Sequence, residues 1–127
     1  MLMRKDIGLM LYWAEGDKAN KAFVALTNSN PNVLKYFVTW FRKYYKIDGN
    51  KLKCRLYIWE DLDEERAKDF WSKLLKISKN NFTKSYIQKK IPKIRKNKHE
   101  FGVCRVGYCS TKTLKLILKE IDILFVQ

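Results

Sequence analysis

Histidine is almost absent from this chain: His99 is the only one in 127 residues. That excludes a histidine-based triad or a multi-histidine metal site unless a second subunit contributes. The three cysteines, Cys54, Cys104 and Cys109, form no CxxC pair, so they read as buried thiols of a protein in a reducing, cytoplasmic setting rather than a zinc site. No apolar run approaches the roughly 20 residues that cross a bilayer. The short apolar stretch after Arg4 and Lys5 is flanked by Asp6 and Glu15, and no small-x-small cleavage site follows it. No repeat, low-complexity stretch or linker divides the sequence, so residues 1–127 read as one domain around one core. Carboxylates are the scarce charge: 13 acidic residues stand against 27 basic ones, a net +14. Such a surplus implies a polyanionic partner.

What is present reads as a globular chain, 46% hydrophobic and 14% aromatic. Lys21–Asn28 is rich in strand formers and ends at the turn Asn28-Ser-Asn-Pro31. Asn30 as N-cap and Pro31 at the first position start a helix to Tyr45, with Val33, Leu34, Phe37, Val38, Phe41 and Tyr44 on its apolar face. Lys51–Glu60 alternates, with Leu52, Cys54, Leu56 and Ile58 on one side and Lys51, Lys53, Arg55, Tyr57 and Trp59 on the other. Cations and aromatics on one face can grip phosphates and pack on sugars or bases; a solvated lysine face is the plainer alternative.

Asp61 or Asp63 can cap the next helix, whose first turn holds Glu64 and Glu65 and whose buried stripe is Phe70, Trp71, Leu74 and Leu75. Phe82–Gln88, which carries Lys84, and Phe101–Cys109, which carries Arg105, read as two further strands. The segment joining them holds Lys89, Lys90, Lys93, Arg95, Lys96 and Lys98 against Glu100 alone, a run that favours a phosphate backbone as partner. Ser110 caps a last helix over Thr111–Phe125, with Leu114, Ile117, Leu118, Ile121 and Leu124 facing inward. The order α-β-α-β-α-β-β-α predicts an α+β fold, a four-stranded antiparallel sheet with the helices on one face.

The segment Ile7-Gly-Leu-Met-Leu-Tyr-Trp-Ala-Glu-Gly16 is an almost wholly apolar helix running into a carboxylate and a glycine. An acid there opposes the helix dipole, and Gly16 suits the left-handed position past the last turn. The segment resembles the LAGLIDADG motif of homing endonucleases in its diverged LYxAEG form, with Glu15 at the acidic metal-binding position, Ala14 before it and Gly16 as the final glycine. Leu9 and Met10 stand where the family has Ala and Gly, which leaves Gly8 as the nearest small residue.

The resemblance implies a saddle-shaped sheet lying along the DNA major groove. With one motif per chain it also implies a homodimer joined through this helix, at Gly8, Leu11, Tyr12 and Ala14. The two Glu15 carboxylates and Gly16 would then hold Mg²⁺ or Mn²⁺, with no small-molecule cofactor and no membrane, in a metal-dependent site-specific DNA endonuclease. Lys18, Lys53, Arg55 and Arg105 are the candidate basic residues near the phosphate. A DNA-binding regulator of the same fold without cleavage, and an RNA-binding maturase-like module, are the alternatives.

Overall fold

The computed structural model describes residues 3–89 and 100–126. Helix α1 spans Lys5–Glu15, strand β1 Phe23–Asn28, α2 Pro31–Tyr44, β2 Leu52–Trp59, α3 Glu64–Leu75, β3 Tyr86–Gln88, β4 Val103–Cys109 and α4 Thr111–Phe125. Short 3₁₀ turns at Gly49–Lys51 and Lys79–Asn81 lead into β2 and out of α3.

The helix starts follow from local chemistry. Asn30 accepts a hydrogen bond from the Asn32 amide with Pro31 in the first turn, Asp63 accepts from the Arg66 amide, and Ser110 accepts from the Thr113 amide. Each satisfies an amide that the helix itself leaves open. At the far end of α3, Arg42 reaches across from α2 and donates to the carbonyls of Leu75 and Lys76, both at 2.7 Å.

The sheet order is β1-β4-β2-β3. β4 runs antiparallel to both β1 and β2, whereas β2 and β3 are parallel. The sheet is therefore mixed, and the expectation of an antiparallel sheet is corrected. The cause is the placing of the helices: α2 carries the chain from β1 to β2, and α3 carries it from β2 to β3, so each strand restarts in the direction of the last. Only β4 turns back, and it inserts between β1 and β2. β3 is also shorter than the predicted Phe82–Gln88, because Asn81 and Phe82 finish the 3₁₀ turn.

One apolar cluster joins the inner side of the sheet to all four helices. It takes Leu52, Cys54, Leu56 and Ile58 from β2 and Cys104, Val106 and Tyr108 from β4, and beneath the helices Tyr12, Trp40, Phe41, Trp71 and Ile117 are each fully buried. Cys54 and Cys104 lie in this core as expected, but Cys109, one residue past the last inward position of β4, is exposed. No helix among the described residues is long and apolar enough to cross a membrane.

Helix α1 sits between α2 and α4. Gly8 lets it close on α2, since a Cβ there would overlap the Trp40 indole, whose Nε1 donates to the Lys5 carbonyl at 2.9 Å. Lys5 pairs with Glu120 of α4 on the other side, and Glu120 also accepts from the Tyr45 hydroxyl at 2.7 Å.

Candidate functional site

The end of α1 is tied to the edge of the sheet by Tyr12. Its hydroxyl donates to the Asp17 carbonyl at 2.7 Å and accepts from the Ala25 amide at 3.2 Å, while the Asp17 amide donates to the Ala25 carbonyl at 2.8 Å. Gly16 is a glycine for room and not for handedness. Its φ of −74° lies outside the left-handed region expected for it, and a Cβ would come within 2.6 Å of the Tyr12 carbonyl oxygen.

Of the four residues expected at a dimer interface, Gly8 and Tyr12 are buried within the chain's own core, Leu11 is partly buried and Ala14 is exposed. Glu15 is exposed at the last turn of α1. The negative end of the α1 dipole is met by Lys18, whose ammonium donates hydrogen bonds to the carbonyls of Trp13 at 2.7 Å and Gly16 at 3.0 Å. Lys18 is accordingly a cap for α1.

Asp17, one residue past the motif, is the acid that reaches the sheet. Its carboxylate accepts from the amides of Ala19 and Asn20 at 3.1 and 3.2 Å and pairs with Arg105 Nη2 at 3.1 Å. Burial pushes this carboxyl up, but the hydrogen bonds from Arg105 and the two amides outweigh it and hold the group below its ordinary range.

The outward side of the sheet carries the predicted basic face, arranged as a grid by the strand register. Thr27, Arg105 and Arg55 lie abreast across β1, β4 and β2, and Ala25, Gly107 and Lys53 form the next row. Lys53 and Arg55 are exposed, and Arg105, Tyr57 and Trp59 are partly buried. Arg55 and Arg105 are direct cross-strand partners, a like-charge pairing that costs the sheet stability. Asp17 answers one of them; Arg55 lies over the Tyr57 ring at 5.7 Å and has no carboxylate partner among the described residues. Tyr86, 6.1 Å from Tyr57 between ring centroids, extends the aromatic edge. A hollow of about 210 Å³ opens on this face between Asn20, Phe23, Lys53, Arg55, Arg105 and Gly107.

Lys51 is exposed in the 3₁₀ turn before β2, and Lys84 and Lys89 are exposed on either side of β3. Lys90, Lys93, Arg95, Lys96 and Lys98, with His99, lie outside the described residues.

The fit of a divalent cation can be judged from the donors at the end of α1. The Gly16 carbonyl is already engaged by an ammonium and the Asp17 carboxylate by a guanidinium, leaving Glu15 alone. Among the described residues no three of His, Cys, Asp and Glu gather into a metal-binding group. Among the described residues, then, one chain gathers no set of oxygen donors for Mg²⁺ at this end of α1.

Sequence reasoning missed Asp17, Tyr86, Gly107 and Phe23 in this site. The alternation that marked β2 was the available signal for β4, where Val103, Arg105, Gly107 and Cys109 share the outward side. Asp17 left no such trace, since its partner is 88 residues away. Comparison with family models, with curated proteins and with solved structures finds no match.

Proposed function

We propose that the chain binds duplex DNA across the outward side of its sheet, as the LAGLIDADG proteins it resembles do. The observation that carries this reading is the cross-strand pair Arg55 and Arg105, two guanidiniums abreast of which Arg105 alone is paired with a carboxylate, Asp17, among the described residues. Folding gains nothing from that pairing, whereas a phosphate backbone does. Lys53 beside the pair and Tyr57, Trp59 and Tyr86 along the edge supply the mixture of charge and ring that nucleic acids take. B-DNA should compete better than A-form RNA or single strands. The reading is tested by titrating a labelled random-sequence duplex with the protein in rising salt: affinity should fall steeply and linearly on logarithmic axes.

Cleavage by a homodimer is a second reading, supported by the position of Glu15. It is exposed at the end of α1, two residues before the acid bound to Arg105. Ile7 is 40% exposed, and with Leu11, Val33 and Tyr36 it lines an almost wholly apolar strip between α1 and α2. A second copy laid on this outward side of α1 would bring its own Glu15 alongside. Mg²⁺ or Mn²⁺ bound by such a pair would supply Lewis acidity. Glu15→Gln should then remove metal-dependent cleavage and leave binding intact; a fully active variant would exclude Glu15 as a ligand.

A further inference from the structure

Gly107 has no structural reason to be a glycine. It lies in the interior of β4, flanked by β1 and β2, where glycine weakens a strand because it packs nothing and loses the most chain entropy. A Cβ there would meet only the Ala25 Cβ and the Phe23 ring, both at the ordinary contact distance of 3.9 Å. Glycine in a strand often marks a bulge, a bend or close approach by a ligand, and the unbroken register of β4 with β1 and β2 through Gly107 leaves no bulge here. Here the space lies on the outward side, in the row next to the Arg55 and Arg105 pair, with Lys53 directly opposite, and Gly107 lines the 210 Å³ hollow together with these three cations.

We propose that this hollow is a seat for a single phosphate group. The phosphate enters over Gly107 and is bridged by the guanidiniums of Arg55 and Arg105, with the Lys53 ammonium at the rim. Three observations converge on it: a cavity, three cations around it, and a lining glycine that folding does not require. Planar guanidiniums suit the assignment because each can offer two parallel N–H donors to phosphate oxygens. Asp17 acts as a positioning residue. Held by two backbone amides, it fixes Nη2 of Arg105, while Nη1 donates to the Thr27 hydroxyl at 3.4 Å. Together they hold the side chain beside the hollow before the ligand arrives, with the remaining N–H groups open to a phosphate. The phosphate also relieves the Arg55 and Arg105 repulsion, which ties the stability of the β2 and β4 pairing to occupancy.

The seat deepens the DNA-binding reading and rests on it for the source of the phosphate, which is either a strand of nucleic acid or free phosphate. Two probes separate these. In the first, inorganic phosphate is titrated into the protein while the amide of residue 107 and the side-chain N–H signals of Arg55 and Arg105 are followed by NMR. A saturable shift of all three is expected in the wild type, and its loss on the arginines in Gly107→Val. In the second, a labelled duplex is titrated with both proteins. Gly107→Val keeps every charge but fills that space, and it should bind about tenfold more weakly, the loss of one charge-assisted contact.

If valine unfolds the sheet, Gly107→Ala, whose Cβ fits at ordinary contact, carries the same comparison with a smaller loss. Phosphate shifts without any duplex binding would keep the seat and overturn the DNA reading. Duplex binding left unchanged by the substitution, with no phosphate shift, would overturn the seat and keep the DNA reading. Failure of both probes would remove both.

Discussion

The two sides of β2 and β4 differ in how far folding accounts for them. On the inner side, Leu52, Cys54, Leu56 and Ile58 face Cys104, Val106 and Tyr108 in a closed apolar core where each residue has packed neighbours. On the outer side, alternate residues of the same strands place Arg55 against Arg105 and leave Gly107 with space above it. The inner side is explained by burial. The outer side carries repulsion and a void, and the proposed nucleic-acid partner would account for both. Residues that lower the stability of the isolated chain are thus the better guide to what the chain does.

That contrast can be broken most severely from the inside. Trp40 is fully buried and bonded to α1, so Trp40→Ala should cost about 3–5 kcal/mol, measured by urea unfolding. Leu56→Ala, also fully buried, should cost about 2–5 kcal/mol in the same assay. Arg55→Gln, its neighbour on the other side of the strand, should change stability by less than about 0.5 kcal/mol, or raise it as the repulsion with Arg105 is relieved. If Arg55→Gln destabilised as much as Leu56→Ala, the distinction between the two sides would fail.

The acid limb of stability sharpens the comparison further. The Asp17 carboxyl titrates below its ordinary value of 3.8 when folded. Its contribution is therefore fully present above the unfolded value and is lost as pH falls through the folded one. Asp17→Asn should be less stable than wild type at neutral pH, and the gap should close as the medium is acidified below the ordinary carboxylate range. A gap that persisted in acid would mean that Asp17 acts through its backbone turn and not through Arg105. Smallest of all should be the effect of Lys18→Gln. An exposed cap on the carbonyls of Trp13 and Gly16 is worth about 0.3–1 kcal/mol, detectable as a slight fall in thermal midpoint.

Much of this fold was legible in the sequence because its signals are local. The alternation of β2, the Asn30-Pro31 start of α2, and the caps Asp63 and Ser110 each lie within a few residues of the element they define. What was not legible depends on residues far apart. The parallel pairing of β2 with β3 follows from α3 returning the chain to its starting end, and no composition within Tyr86–Gln88 encodes that. Gly8 looked free for a partner helix until Trp40, 32 positions later in the chain, filled its place. Gly16 suggested a left-handed turn, whereas the Tyr12 carbonyl and ring require it to be small. For the site itself, Lys53 and Arg55 were visible by alternation. The carboxylate that organises Arg105 was not, because Asp17 lies just past the motif that ends at Glu15 and Gly16, and its partner is 88 residues away in the chain.

On the proposed reading, the outward side of the sheet holds nucleic acid through Arg55 and Arg105. Its most direct test is fluorescence anisotropy of a labelled duplex over a salt series, with wild type and the double variant Arg55→Gln, Arg105→Gln in parallel. Wild type should bind with a steep logarithmic salt slope, and the double variant should bind more weakly with a slope shallower by about two, one for each phosphate contact removed. Equal affinity and equal slope for the two proteins would contradict the account and move any binding to another surface.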